Sequence, residues 1–243
     1  MRYQAIIEYD GTAYCGFQKQ LTGPSIQQEL ERAIRLISGE ERTVIGAGRT
    51  DSGVHATGQV VAFDLEWPHG PKTLWLALNA NLPADIAAVR LSETKEDFHP
   101  RFDAIKRTYN YYIYNEPVRS PLYRRTSWHV SQQLDIGRMN LAASAIVGEH
   151  DFATFGRPPQ GNNSVRQVFQ AEWNRNESLL IFTIEANAFL YRMVRSLVGC
   201  LKAVGEGTWT VERFIATLNA RDRDRAAQTA PPHALFLTSV IYE

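Results

Sequence analysis

The sequence predicts an α+β protein built from two ferredoxin-like βαββαβ halves, which together form one mostly antiparallel sheet with a central cleft. Strand-like and helix-like hydrophobic periodicities follow one another in the order βαββαβ. That order runs twice through the 243 residues. Composition agrees, since 44% hydrophobic and 21% charged residues are the proportions of a soluble globular chain whose core needs no staples. The halves share topology and no visible residue similarity. Their expected bounds are 1–100 and 101–243.

The first half opens with QAIIEY (4–9) as a strand, followed by the loop DGTAYCGFQKQLTGP (10–24). Ser25 then starts a helix, with Gln28 where a capping box requires it. Ile26, Leu30, Ala33, Ile34 and Ile37 form its apolar face, and Gly39 ends it. A strand at about 42–48, a glycine-rich loop and the strand GQVVAFDLEW (58–67) follow. PKTLWLALNANL (71–82) reads as a helix because a proline suits its first turn, and 85–93 reads as a strand. In the second half, RTYNYYIYN (107–115) is a strand, 134–147 a helix, and 165–174 and 178–187 are strands. Helices at 188–205 and 210–219 precede a last strand at 234–243. Helices following strands in such units cover one sheet face and leave the other open. The stretch at 156–164, rich in Gly, Pro and Asn, reads as a surface connection.

Several classes of function are set aside. No apolar run approaches the roughly 20 residues that span a bilayer. MRYQAIIEYDG enters a strand pattern at once and leaves no room for a signal peptide, so a cytoplasmic location is expected. Cys15 and Cys200 are far apart and suggest neither a disulfide framework nor a zinc site. No His or Cys spacing suggests a metal, and no cofactor motif is present. The formal charge is zero, yet 21 of the 26 basic residues are arginine. Arginine binds phosphate through two parallel hydrogen bonds and stacks on bases. The bias is compatible with RNA, with a GC-rich genome or with ion-pair networks; the placement of the charges decides among them.

The chemistry concentrates in GAGRTDSGVHA (46–56). Asp51 lies between two strands, and Gly46, Gly48 and Gly53 permit unusual dihedrals or a close approach to a ligand. Arg49, two residues back, favours the ionised carboxylate and can aim it. From spacing alone, a turn held by a local Arg–Asp pair is the simpler reading. In the predicted helix at 188–204, Arg192, Arg195 and Lys202 fall beside a broad apolar face, where an arginine can reach a carboxylate or a phosphate. Tyr109 and Tyr111 share one face of their strand, and a tyrosine facing a cleft can stack on a base. Two further motifs are weak. IIEYDGT is similar to the nucleophile strand of haloacid-dehalogenase-type phosphatases but has Glu8 at the nucleophile's place, and DSG (51–53) lacks the flanks of a serine-protease nucleophile.

YDGTAYCGFQ (9–18), GAGRTDSGVHA (46–56), PRFDAIKRTYNYYIYN (100–115), GEHDFATF (148–155), NAFLYRMVRSLVG (187–199) and APPHALFL (230–237) occur in that order. Together they resemble the tRNA pseudouridine synthase A family along essentially the whole chain. The sequence departs from the usual pattern at Ser52, Arg192 and Ala234, and none of these removes a reactive group. The resemblance implies the pseudouridine synthase fold and the isomerisation of uridine to pseudouridine at tRNA positions 38, 39 and 40, without cofactor or metal. Asp51 matches the catalytic aspartate, and Tyr109 the tyrosine that contacts the target base. Arg49 and Arg195 are then the orienting and charge-balancing partners. It further implies a homodimer, its interface in the second half, with tRNA lying across a basic face of arginines such as Arg101, Arg107, Arg124, Arg125 and Arg192. Two alternatives stand beside it: a catalytically silent tRNA-binding protein on the same scaffold, and a phosphatase built on Asp10.

Overall fold

Two folding units divide the chain, Met1–Ile105 with Phe236–Glu243, and Lys106–Leu235. The structure is a computed structural model and describes residues 1–158 and 161–243. In chain order the elements are β1 (Arg2–Tyr9), α1 (Ile26–Ser38), β2 (Ile45–Gly46), β3 (His55–Asp64), α2 (Gly70–Asn81), β4 (Ile86–Glu93), β5 (Lys106–Tyr114), β6 (Trp128–His129), α3 (Ile136–Ser144), β7 (Gly148–Asp151), β8 (Val165–Asn176), β9 (Leu179–Ala186), α4 (Met193–Gly205), α5 (Val211–Ala220) and β10 (Leu235–Ile241). Within the predicted connection at 156–164, Pro159 and Gln160 lie outside the described residues.

In the first unit the sheet order is β4-β1-β3-β10, with β2 also paired to β3. The run β4-β1-β3-β2 is antiparallel throughout and is the ferredoxin-like order. Burial along β1 alternates strictly over Tyr3, Ala5, Ile7 and Tyr9, the signature of a strand with one face on a core. Ser25 caps α1 by accepting a hydrogen bond from the Gln28 amide (3.3 Å), and Gly39 ends the helix in the left-handed region. Such a cap contributes about 1 kcal/mol. Ile26, Leu30, Ala33 and Ile34 are buried, and full burial of each larger side chain contributes about 1.5–3 kcal/mol, so packing dominates. Asn79 pins α2 to β4 at two points: its Oδ1 accepts from the Ala88 amide (2.9 Å) and its Nδ2 donates to the Ala88 carbonyl (3.0 Å).

A boundary at 100/101 leaves residues 236–243 in the second half; their contacts assign them to the first unit. Phe236 and Leu237 pair in parallel with His55 and Ala56 of β3. Ile105 donates to the Ile241 carbonyl (2.9 Å), and the Tyr242 hydroxyl donates to the Pro100 carbonyl (2.8 Å). This pairing also explains why β3 begins at His55 rather than at Gly58. The predicted strand at about 42–48 reduces to Ile45–Gly46.

The second unit has the order β5-β9-β8-β7, antiparallel, with β6 parallel to β5. Trp173 and Phe182 stack at 4.9 Å in its core, and Phe155 stacks on Phe214 at 6.0 Å. Asp135 and Thr210 cap α3 and α5. The helix predicted from residue 188 begins only at Met193. Tyr191 bridges to Arg157, and Arg192 stands in the left-handed region at φ 63°, so no helical turn passes through either residue.

Candidate active site

Asp51 opens a tight turn between β2 and β3. Its carbonyl accepts from the Val54 amide (3.1 Å), so Ser52 and Gly53 are the central residues. Gly53 lies at φ 77°, where a Cβ would be strained, and this is why the chain can reverse there and enter β3 at once. Asp51 is partly buried, Thr50 before it is buried and Arg49 is exposed. Among the described residues no ion pair joins Arg49 to Asp51; the turn is held by other means.

Those means are two sets of hydrogen bonds. In the first, Gln59 of β3 clasps Gly48: its Oε1 accepts from the Gly48 amide (3.3 Å) and its Nε2 donates to the Gly48 carbonyl (2.8 Å). The Tyr9 hydroxyl lies 2.8 Å from Thr50 Oγ1. Burial pushes the Tyr9 phenol up to about 12, so it is a neutral hydroxyl at physiological pH. The second set comes from the loop at 10–24. The Phe17 amide donates to the Thr50 carbonyl (3.1 Å), and the Tyr14 carbonyl accepts from the Gly53 amide (3.3 Å) and the Ser52 hydroxyl (3.2 Å). Gly11 approaches so closely that a Cβ there would stand 2.0 Å from the Val54 carbonyl oxygen. His55, buried at the start of β3, stacks on Phe236 at 4.6 Å, and its Nδ1 is 3.1 Å from both the Gly11 amide and Asp10 Oδ1. Asp10 thereby belongs to the framework of this loop: its Oδ1 also accepts from the Thr12 amide and hydroxyl.

Tyr109 and Arg195 belong to the second unit, Asp51 and Arg49 to the first. Tyr109 is buried on β5 in register with Ile184 of β9, and its ring meets Phe189 edge-on at 5.0 Å. Tyr111 shares that face, as alternation requires, and is likewise buried. The Tyr111 hydroxyl donates to the Pro231 carbonyl (3.0 Å), and burial pushes its phenol up against the pull of the Arg195 charge. Arg195 projects from α4, its Nε donating to the Ala230 carbonyl (2.8 Å) while its own carbonyl accepts from the Ala230 amide (3.1 Å). The expected basic face needs one correction. Arg107 is buried and donates to the Asn187 carbonyl (2.6 Å), so it is a structural residue, whereas Arg124, Arg125 and Arg192 are exposed.

Sequence reasoning from the residues alone passed over Tyr9 and Gln59. One signal was available. Both are polar side chains at inward positions of strongly apolar strands, where a buried polar group requires partners.

The profile of the tRNA pseudouridine synthase family matches residues 5–103 and 142–243. The chain belongs to this family, and is thereby an isomerase. Proteins named tRNA pseudouridine synthase A align over nearly their full length. The one from Parvibaculum lavamentivorans is 42% identical, covering 100% of this chain and 99% of its own. Its counterpart in Pseudothermotoga lettingae is 40% identical, covering 98% of each. That of Histophilus somni is 44% identical over 97% of this chain and 88% of its own.

Proposed function

We propose that this protein converts uridine to pseudouridine at positions 38, 39 and 40 of the tRNA anticodon arm, with Asp51 as the catalytic carboxylate. The C1′–N1 bond breaks, the uracil turns over, and C1′ joins C5. N1 gains a proton and C5 loses one, so atoms balance with no redox equivalent. The observation that carries this reading is the clamped turn of Asp51: a partly buried carboxylate on a backbone tied down before and after it. Rigid presentation of one reactive group is what positional catalysis requires. A solvated surface turn has no need of it, and neither does a silent binder, for which a carboxylate beside phosphates is a liability.

Tyr109 is the contact for the target base. The base leaves its stack at a cost of a few kcal/mol, and an aromatic surface offsets part of that. Arg195 balances charge at the reacting group. Arg49, exposed beside Asp51, is placed to meet a phosphate of the substrate. The protein works in the cytoplasm as a homodimer, with the tRNA across both subunits on a face that includes Arg101, Arg124, Arg125 and Arg192. Selection of neighbouring positions then rests on the shape and phosphates of the anticodon arm, since A-form helices hide their base edges.

The test is tritium release from unmodified tRNA labelled at uracil C5, since closing the C1′–C5 bond expels that hydrogen. Wild type releases label, and folded Asp51→Ala does not. Wild type that binds tRNA without releasing label would establish the silent binder instead.

A further inference from the structure

We propose that Tyr9 and Gln59 are positioning residues for Asp51, two buried hydrogen-bonded fastenings that fix the backbone immediately before the carboxylate. The inference rests on the reading of Asp51 as the catalytic group. Gln59 holds the amide and carbonyl of Gly48, and the Tyr9 hydroxyl is hydrogen-bonded with Thr50 Oγ1. The two fastenings fall on residues 48 and 50, so Arg49 is spanned and Asp51 is the next residue out.

Three features favour positioning over mere stability. Gln59 is fully buried, and both ends of its amide are committed to the Gly48 peptide groups, in the manner of a neighbouring strand. Burying polar groups returns little net stability even when every partner is present, so an apolar pair would fill this space with no great loss. What such a pair could not supply is direction: hydrogen bonds fix the loop's distance and rotation, where dispersion contacts tolerate sliding. Finally, Gln59 and Tyr9 hold residues 48 and 50 while Tyr14 holds residues 52 and 53, so the chain is fastened both before and after Asp51. A misplacement of about 1 Å at a reacting group can lower a rate by roughly a hundredfold.

The experiment compares steady-state tritium release and melting temperature for Tyr9→Phe, Gln59→Leu, the double variant and Asn79→Leu. Asn79 makes the same two-point amide clasp, on Ala88, and supplies the matched structural control. Tyr9→Phe and Gln59→Leu are expected to lower kcat by about 10–100-fold with KM for tRNA within about twofold. The double variant is expected to lose less than the product of the two single losses, because both side chains fasten the same three-residue segment. Asn79→Leu is expected to lower the melting temperature with kcat unchanged. Wild-type kcat in Tyr9→Phe and Gln59→Leu, or losses that only follow unfolding, would overturn the inference. Should Gln59→Leu not fold, Tyr9→Phe decides alone. Asp51→Ala runs alongside: turnover by that variant would sink the proposed function, whereas turnover lost there but intact in the Tyr9 and Gln59 variants would sink the positioning inference alone.

Discussion

Asp51 and Tyr109 are held in opposite ways. Tyr109 sits in mid-strand, its backbone in a regular ladder with β9 and its ring against Phe189. Asp51 sits in a turn whose fastenings come from Tyr9, Tyr14, Phe17 and Gln59, and most of these are polar. The tyrosine is therefore placed by packing and the carboxylate by hydrogen bonds and glycine geometry. Packing fails gradually as volume is removed, whereas a hydrogen-bonded turn fails at single atoms.

Four changes break or sharpen this contrast, the largest first. Asp51→Ala removes the reactive group itself and is expected to lower kcat by at least about 1000-fold, with tRNA binding retained in a filter or gel-shift assay. Tyr109→Leu keeps an apolar volume but removes the aromatic face. Stacking contributes about 1–3 kcal/mol per base, so kcat/KM for tRNA is expected to fall by about 10–100-fold. Gly53→Ala leaves every side chain of the site in place and forces a Cβ into the left-handed region, at a cost of about 1–2 kcal/mol. Urea unfolding checks that cost, and a fall in kcat greater than any rise in KM would locate the damage in the turn.

The smallest effect appears only in alkali. The Tyr9 phenol has a folded pKa of about 12, raised first by burial, above the unfolded value of about 10. The unfolded chain loses this proton first. The stability contributed is whole below pH 10 and is lost as pH rises towards about 12. Tyr14 and Tyr111 are pushed in the same direction, also by burial first, and lose stability in the same range. In Tyr9→Phe the alkaline limb of the melting-temperature profile is expected to be shallower than in wild type. An unchanged limb would mean that Tyr9 does not contribute to it.

Legibility in the sequence followed the range of the forces involved. The start of α1 at Ser25 and its end at Gly39 are local capping events, and local residues announce them. The alternation of β1 and β5 is equally local. β6 and β7 escaped sequence reading because two- and four-residue strands exist only through partners distant in the chain. The late start of α4 depends on the pairing of Tyr191 with Arg157, which no helical periodicity records. At the candidate site, the reactive types at 49 and 51 were visible as a motif. Their mounting was not, because Tyr9 and Gln59 reach the loop from positions about 40 and 10 residues away along the chain.

The parallel pairing of Phe236 and Leu237 with β3 bears on how the protein is made. Translation must add the 130 residues of the second unit (235 − 105) after Ile105 before this strand emerges from the ribosome. At about 5–20 residues per second that is a wait of roughly 7 to 26 s. Throughout it the nascent first unit carries the Asp51 turn beside an unfinished sheet edge at His55 and Ala56. The half of the molecule that is synthesised first is thus the half completed last.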